Sequence, residues 1–427
     1  MTLTPPSQSR STRFGLPRAV WLLGWVSLAT DAASEAIYPL IPYFLTHVIA
    51  AGAVSIGIIE GAAEAANSVL KIVAGRAADR APAKRPLVLC GYALSSTVRP
   101  LIAAATSWPQ VFAVRVADRV GKGIRGAPRD AMLAQWATRS TRGKVYGFHR
   151  AMDHLGAVIG PALATLFLVF YPDRYRTLFA LTVVPGAIAV ALVLFVPERS
   201  ASAAIPGARS ADAEAAGPPH SRGDVEAPRL PDRFYGFMAV LALFMLGNST
   251  DAFLLLRLTE AAGGARYVPL IWAAHHIVKA SVSVVGGSWS DRVGRRTVIA
   301  LGWLIYAVVY GGFAFSASLP ALLAWFMVYG VYFGLAEGTE KALVADLAPA
   351  SRRGLAFGWY NAVSGMGALA ASLVFGVLWE AFGARTAFSV GAAAALAATG
   401  ALFLVLPRTP GVQAQAAPPP RPAAGPP

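Results

Sequence analysis

Apolar residues in this chain come in runs of about twenty, cut at short clusters of charge, proline and glycine. A helix needs roughly 20 such residues to cross a hydrocarbon layer about 30 Å thick. Twelve runs meet that length. In the first half they fall near residues 18 to 45, 53 to 75, 86 to 106, 108 to 134, 144 to 170 and 177 to 197. In the second half they fall near 234 to 259, 266 to 287, 296 to 316, 319 to 346, 354 to 380 and 384 to 407. The pattern predicts an all-α polytopic membrane protein with 12 transmembrane helices. Between the halves, "PERSASAAIPGARSADAEAAGPPHSRGDVEAPRLPDR" is rich in Ala, Pro, Gly and charge and has too little apolar surface to order itself. Residues 1–17 read as an N-terminal tail, 18–197 as one six-helix bundle, 198–233 as a linker, 234–407 as a second bundle and 408–427 as a disordered tail.

Composition agrees, with 56% hydrophobic and only 14% charged residues. A soluble chain of this length needs far more charge on its surface. The net charge of +15 raises the question of nucleic acid, but the basic residues lie in short clusters between apolar spans and not on one domain, which excludes it as a partner. Arg76, Arg80, Lys84 and Arg85 follow span two, Arg139, Arg142 and Lys144 follow span four, Arg292, Arg295 and Arg296 follow span eight, and Arg352 and Arg353 follow span ten. The alternate connections "AAATSWP" and "FSASLP" carry almost none, so both termini and the linker are expected on the cytoplasmic side of a cell inner membrane. The polar start "MTLTPPSQSRSTRFGLPR" and the long first run predict a retained first span with no cleaved signal. The single cysteine, Cys90, excludes an internal disulfide and reads as a small buried hydrophobe.

The halves repeat one another. "GRAADRAPAKRPLVLCGYALSS" from residue 75 aligns with "GSWSDRVGRRTVIALGWLIYA" from residue 287 at an offset of 212, which becomes 211 after one extra residue in the first copy. At 211, Arg142 falls on Arg353, Gly143 on Gly354, Gly147 on Gly358 and Gly156 on Gly367. A duplicated six-span unit predicts two pseudo-symmetric six-helix bundles that rock about a site near the midplane. The same register carries the charged stretch "VFAVRVADRVGKGIRGAPRDAM", residues 111 to 132, into span ten, its second part falling on the start of "VYFGLAEGTEKALVADL". It is therefore span four, and its charges must face the bundle interior, a partner helix or water.

These features resemble the major facilitator superfamily of secondary transporters over nearly the whole chain. "GSWSDRVGRR" matches the family's Gly-x-x-x-Asp-Arg-x-Gly-Arg-Arg signature through Gly287, Asp291, Arg292, Gly294, Arg295 and Arg296, and "GRAADRAPAKR" is similar through Gly75, Asp79, Arg80, Lys84 and Arg85, with Pro82 in place of a Gly and one residue added. The resemblance implies a cytoplasmic gate at Gly75, Asp79, Arg80, Gly287, Asp291 and Arg292, each Asp near the positive end of a helix in the other bundle. "GAVIGP" is similar to the Gly-x-x-x-Gly-Pro motif of proton-coupled exporters at Gly156, Gly160 and Pro161, with Leu163 and Ala164 where two further glycines are usual. Arg115 resembles the span-four arginine associated with proton transfer, although Asp118 and Arg119 stand where Gln and Gly are common.

Polar residues inside spans supply candidate chemistry. Glu60, Glu64, Asn67 and Lys71 form one stripe on span two, and Trp272, His276, Lys279 and Ser283 form its counterpart on span eight. Together with Asn248, Asp251 and Asn361 they are candidates for a solute cavity; the alternative is a static network in which Lys71 or Lys279 neutralises Glu60 or Glu64. Asp31 and Glu35, one turn apart on span one with Tyr38 beyond, are with Glu64 and Arg115 the candidate proton or cation carriers, the competing role being gate pairing with span-four arginines. His149, Arg150, Asp153 and His154 suggest a hydrogen-bonded cluster near the basic end, while His275 and His276 point to different faces and form no metal clamp.

No nucleophile triad or metal-ligand cluster is evident, and "GKGIRG" lacks a phosphate-loop spacing, so the chain is not expected to be an enzyme and needs no cofactor beyond a proton gradient. The expected activity is proton-coupled efflux of small lipophilic or cationic compounds by alternating access. The alternatives are symport or exchange of small anions, metal-cation export, and a sensor without flux. Its partners would be the lipid bilayer, protons and a small-molecule substrate, with the monomer as working unit.

Overall fold

The computed structural model describes residues 12–13, 16–80, 83–137, 141–197, 229–349 and 352–406. Twelve helical spans run through it. α1 comprises Arg18–Ile37 and is carried on by the short turns Tyr38–Leu40, Ile41–Tyr43 and Phe44–Val48. α2 is Ala53–Arg80, α3 Arg85–Ala104, α4 Trp108–Ala134, α5 Arg142–Phe170 and α6 Tyr175–Leu194. α7 is Asp232–Ala262, α8 Val268–Val293, α9 Arg295–Phe315, α10 Leu319–Leu347, α11 Arg353–Phe382 and α12 Ala384–Val405. Proline sets several starts, at Pro109 of α4 and Pro320 of α10 among them, where its missing N–H is no loss. Gly294 and Gly383 hold positive φ and turn the chain sharply between α8 and α9 and between α11 and α12.

Boundaries follow the apolar runs closely, with one correction. The second and eighth apolar runs end near residues 75 and 287, yet α2 continues to Arg80 and α8 to Val293. Hydropathy marks where hydrocarbon ends, whereas the backbone satisfies its own hydrogen bonds for several further residues in water. Nine spans are long and apolar enough to cross a membrane on composition alone among the described residues. α1 is broken at Tyr38, Pro39 and Pro42, and α4 is rich in charge, so neither is among them. α7 breaks at the matching place, between Gly247 and Ala252. Irregular backbone inside a membrane protein is tolerated where protein or water can serve its polar groups, so both breaks must face inward.

Packing repeats between the halves. In the first, α1 contacts α5 and α6, α4 contacts α2 and α3, and α3 contacts α6; in the second, α7 contacts α11 and α12, α10 contacts α8 and α9, and α9 contacts α12. The halves meet along two seams, α2 against α11 and α5 against α8, which exchange under the pseudo-symmetry. Small residues allow the closest approaches. At Gly57 a methyl group would strike the carbonyl of Ser372, at Gly61 it would meet Leu369, and Gly376 leaves the same room for Ala53 and Val54. The Glu380 carboxylate accepts the Val54 N–H at 3.1 Å beside this contact. Within the first half, Gly156 and Gly160 lie on the backbone of Leu28 and Ala32, and Gly367 serves the equivalent contact with Met245.

Leu163, Leu166, Phe170, Val184, Ile188 and Leu404 are exposed on the outside of the helices, which suits lipid and not water. Cys90 is exposed as well, correcting the expectation that it is buried. In a soluble protein an apolar run locates the interior; in a bilayer the outer face is equally apolar, so the run is uninformative.

Gly160→Leu should force α5 away from α1 and lower stability by roughly 1–3 kcal/mol, read as a reduced unfolding temperature in detergent. Gly400→Ala, at a position with open space around it, should leave that temperature unchanged.

Candidate transport site

α4 carries its charges inward. Arg115 donates from Nε to Glu60 Oε1 at 2.9 Å and from Nη2 to both Glu60 oxygens at 2.7 Å, with both side chains almost fully buried. Asp118, one turn on, accepts from Arg99 Nη2 at 2.8 Å and lies 3.8 Å from Arg115 Nη1. Arg125 donates to Ser95 Oγ at 2.7 Å and stands over the Tyr92 ring at 4.6 Å. Each buried ion here is paired or hydrogen-bonded, as a low-dielectric surround requires. Glu60, expected in a solute cavity, thus faces α4 with Arg115 as its partner, and neither lysine anticipated for it takes that place. Arg99 went unnoticed in the sequence because it sits alone in an apolar run.

Where the halves meet, side chains of α1, α2, α4, α8 and α10 face one another. Glu35 of α1 accepts a hydrogen bond from Trp272 Nε1 of α8 at 2.8 Å, and His276 Nε2 lies 3.9 Å from the same oxygen. Tyr38 meets the Thr250 hydroxyl at 3.4 Å, joining the breaks of α1 and α7, and its ring lies 5.2 Å from that of Trp272. Asp31, half-buried one turn from Glu35, has no hydrogen bond or ion pair on its carboxyl among the described residues; Asp153, Lys122, Glu35 and Arg125 are within electrostatic reach. Glu64 accepts from Asn67 at 3.1 Å. Lys71 is exposed, with Glu64 and Glu337 the nearest opposite charges. Across the gap Glu337 is shared by Lys279 at 3.7 Å and Lys341 at 2.9 Å, and Lys279 also lies 4.0 Å from the Phe333 ring centre.

In the second half the equivalent positions hold aromatic rings. At the repeat offset Arg99 corresponds to Tyr310, Arg115 to Phe326, Asp118 to Tyr329 and Glu60 to Trp272. These rings keep the contacts of their charged counterparts, with Trp272 and Phe326 centres 6.2 Å apart and Tyr310 and Tyr329 centres 6.3 Å apart. Asp251 accepts from Tyr329 at 2.7 Å, and Asn248 donates to Tyr332 at 3.2 Å. Glu340 is buried with Trp303 Nε1 at 2.8 Å and Tyr360 Oη at 3.1 Å as its donors.

The remaining candidates separate. Ser27 donates to Asp153, which also faces His149 at 3.5 Å and Arg150 at 3.9 Å, a cluster joining α1 to α5. His275 turns away from the gap, its Nδ1 at 3.1 Å from the carbonyl of Phe326. Asn361 is half-buried on α11, Pro161 is buried within α5, and Arg292 is exposed. The side chains of Gly75, Asp79, Arg80, Gly287 and Asp291 lie outside the described residues; the backbone there is helical. Among the described residues no three His, Cys, Asp or Glu side chains group as a metal site.

Comparison with known proteins matches the profile of the Major Facilitator Superfamily to residues 20–273 and 236–425. An uncharacterised MFS-type transporter of Methanocaldococcus jannaschii, MJ1317, is 31% identical over 373 residues, covering 86% of this chain and 89% of its own. Multidrug resistance protein MdtH of Edwardsiella ictaluri is 24% identical over 326 residues, covering 76% and 77% respectively. In architecture the chain is similar to a POT family transporter solved with a thioalcohol-conjugated peptide, with a TM-score of 0.74 at 12% identity over 92% of this chain and 97% of the other.

Removing one member of the buried pair should be worse than removing both. Glu60→Gln or Arg115→Gln should each destabilise the protein by about 3–5 kcal/mol, whereas Glu60→Leu with Arg115→Leu together should recover most of that loss in a thermal unfolding series.

Proposed function

Since the chain belongs to the major facilitator superfamily of secondary transporters, we propose that it couples solute movement to protons through Asp31 and Glu35 of α1. The observation that supports this most strongly is the hydrogen bond that Trp272 of α8 donates to Glu35 between the halves, with His276 3.9 Å from the same carboxylate. An ionised carboxylate holds such a bond roughly twice as tightly as a neutral acid. Protonating Glu35 therefore loosens a tie between the halves near the middle of the molecule, and deprotonation restores it. Asp31, one turn away without a direct partner, is placed to pass the proton on or to hold it while the tie is broken.

Alternating access then follows from the fold. The α2–α11 and α5–α8 seams are the surfaces on which two bundles rock. Gly156 and Gly160 seat α5 against α1 at Leu28, Asp31 and Ala32, so movement of α5 is transmitted directly to the carboxyl pair. Export by proton exchange, in keeping with the multidrug relative and the Gly-x-x-x-Gly-Pro segment, requires a solute that competes with protons for Asp31 and Glu35. Co-transport requires one that binds more tightly once they are protonated. The basic ends of the helices are assigned to the cytoplasm by their arginines.

Reconstituted vesicles carrying an imposed pH gradient test the coupling. Solute-triggered proton movement is expected in the native protein and should be lost, by about tenfold or more, in Asp31→Asn and Glu35→Gln. Both variants should still exchange solute across the membrane without a gradient. Unchanged proton movement in either variant would remove that residue from the coupling role.

A further inference from the structure

The described groups lining the gap include two cations without a dedicated counter-ion. Arg119 and Lys122, three residues apart on α4, are half-buried, and neither forms an ion pair with any described residue. The carboxylates within their electrostatic reach are engaged elsewhere or shared. Glu60 takes three hydrogen bonds from Arg115, Glu64 accepts from Asn67, Glu35 accepts from Trp272, and Asp31 stands near both Lys122 and Asp153. Nε of Arg119 is buried and has no hydrogen-bond partner. Both ring nitrogens of His276, across the gap within reach of Lys122, are buried without one too. The Arg119 and Lys122 groups are obligate donors, and an imidazole ring always offers at least one. Buried donors without acceptors are costly, so the missing component is an acceptor, and beside two cations it is an anion.

We propose that Arg119 and Lys122 bind the anionic group of the transported solute, a carboxylate or a phosphate, with His276 closing the site from the second half. The proposal rests on the transporter reading above and gives it a substrate class. Arg119 supplies a planar fork and Lys122 a point charge, a combination suited to either oxyanion.

Binding is linked to protons by the neighbouring charges. Lys122 is faced by Asp31 and Glu35 from α1, Arg119 and Arg125 from its own helix, and His276 from α8; Arg119 is faced by Glu60, Glu64, Asp118 and Tyr38. With Asp31 and Glu35 ionised, Lys122 is partly neutralised and the gap repels an anion. Protonating Asp31 uncovers the cation. Proton and anion therefore favour one another's binding, a reciprocal linkage that drives both across together. A cationic solute would show the opposite sign.

Equilibrium binding to the purified protein in detergent tests this without any gradient. The probes are benzoate and phenylphosphonate, which differ in oxyanion, against neutral benzamide and cationic benzylammonium. At least one anion should bind, and the neutral and cationic probes should bind at least tenfold more weakly. Arg119→Gln and Lys122→Gln should each weaken the anion by roughly tenfold, with Lys122→Arg retaining it and serving as the folded control. Affinity should rise as pH is lowered from about 8 to about 6, and Asp31→Asn should bind more tightly at the higher pH. The proposal is overturned if neither anion binds, if benzamide or benzylammonium binds as well as the anions, if the Gln variants bind anions normally, or if affinity fails to rise on acidification. Failure of coupling is separate: anion binding intact with proton movement unaffected by Asp31→Asn removes Asp31 from the coupling and leaves the Arg119–Lys122 site standing. Proton movement triggered by benzylammonium alone does the reverse.

Discussion

The bidentate bond between Arg115 and Glu60 is the interaction on which the first half depends. A helix bearing Arg115, Asp118, Arg119, Lys122, Arg125 and Arg129 does not enter a bilayer unless most of that charge is cancelled. Glu60 cancels Arg115 from α2, Asp118 is cancelled by Arg99 from α3, and Arg125 is held by Ser95 and Tyr92. Two helices, α2 and α3, are thereby fixed against α4. What remains with neither an ion pair nor a hydrogen bond among the described residues, Arg119 and Lys122, lies towards the second half, and the functional chemistry is what the structural contacts leave over.

The second half solves the same packing problem without charge. Where the first has Arg99, Arg115, Asp118 and Glu60, it has Tyr310, Phe326, Tyr329 and Trp272 at the equivalent places. Rings need no counter-ion, and the Tyr329 and Tyr310 hydroxyls reach Asp251 and Ser249 at the break in α7, while Tyr332 accepts from Asn248 beside them. One bundle thus contributes charge and the other an aromatic wall with hydrogen-bonding tips. Glu35 and Tyr38 meet that wall at Trp272 and Thr250, which places the ionisable carboxylate at the boundary between the two chemistries.

Much of this was legible in the sequence, and the reasons for the rest are physical. Run length fixed the spans to within a few residues because hydrocarbon thickness is a hard constraint, and the repeat offset carried the architecture. Helical spacing put Glu60, Glu64, Asn67 and Lys71 on one stripe of α2, but a stripe spans enough angle to serve two neighbours. Glu60 turned to α4 while Lys71 remained exposed, and only the packing of α2 decides between them. Cys90 was misjudged because apolar surroundings mean lipid as readily as core. Arg99 escaped notice because a lone charge has no period.

The central claim is that ionisation of Glu35 ties the bundles together. It is tested most directly by distance measurement between spin labels on exposed positions of α5 and α8, Leu155 and Ile277, with the exposed Cys90 replaced by serine. The account predicts that lowering pH shifts the distance distribution in the native background, and that Glu35→Gln holds the low-pH distribution at every pH. A distribution indifferent to pH in the native background, or a Glu35→Gln variant that responds as the native protein does, would contradict it.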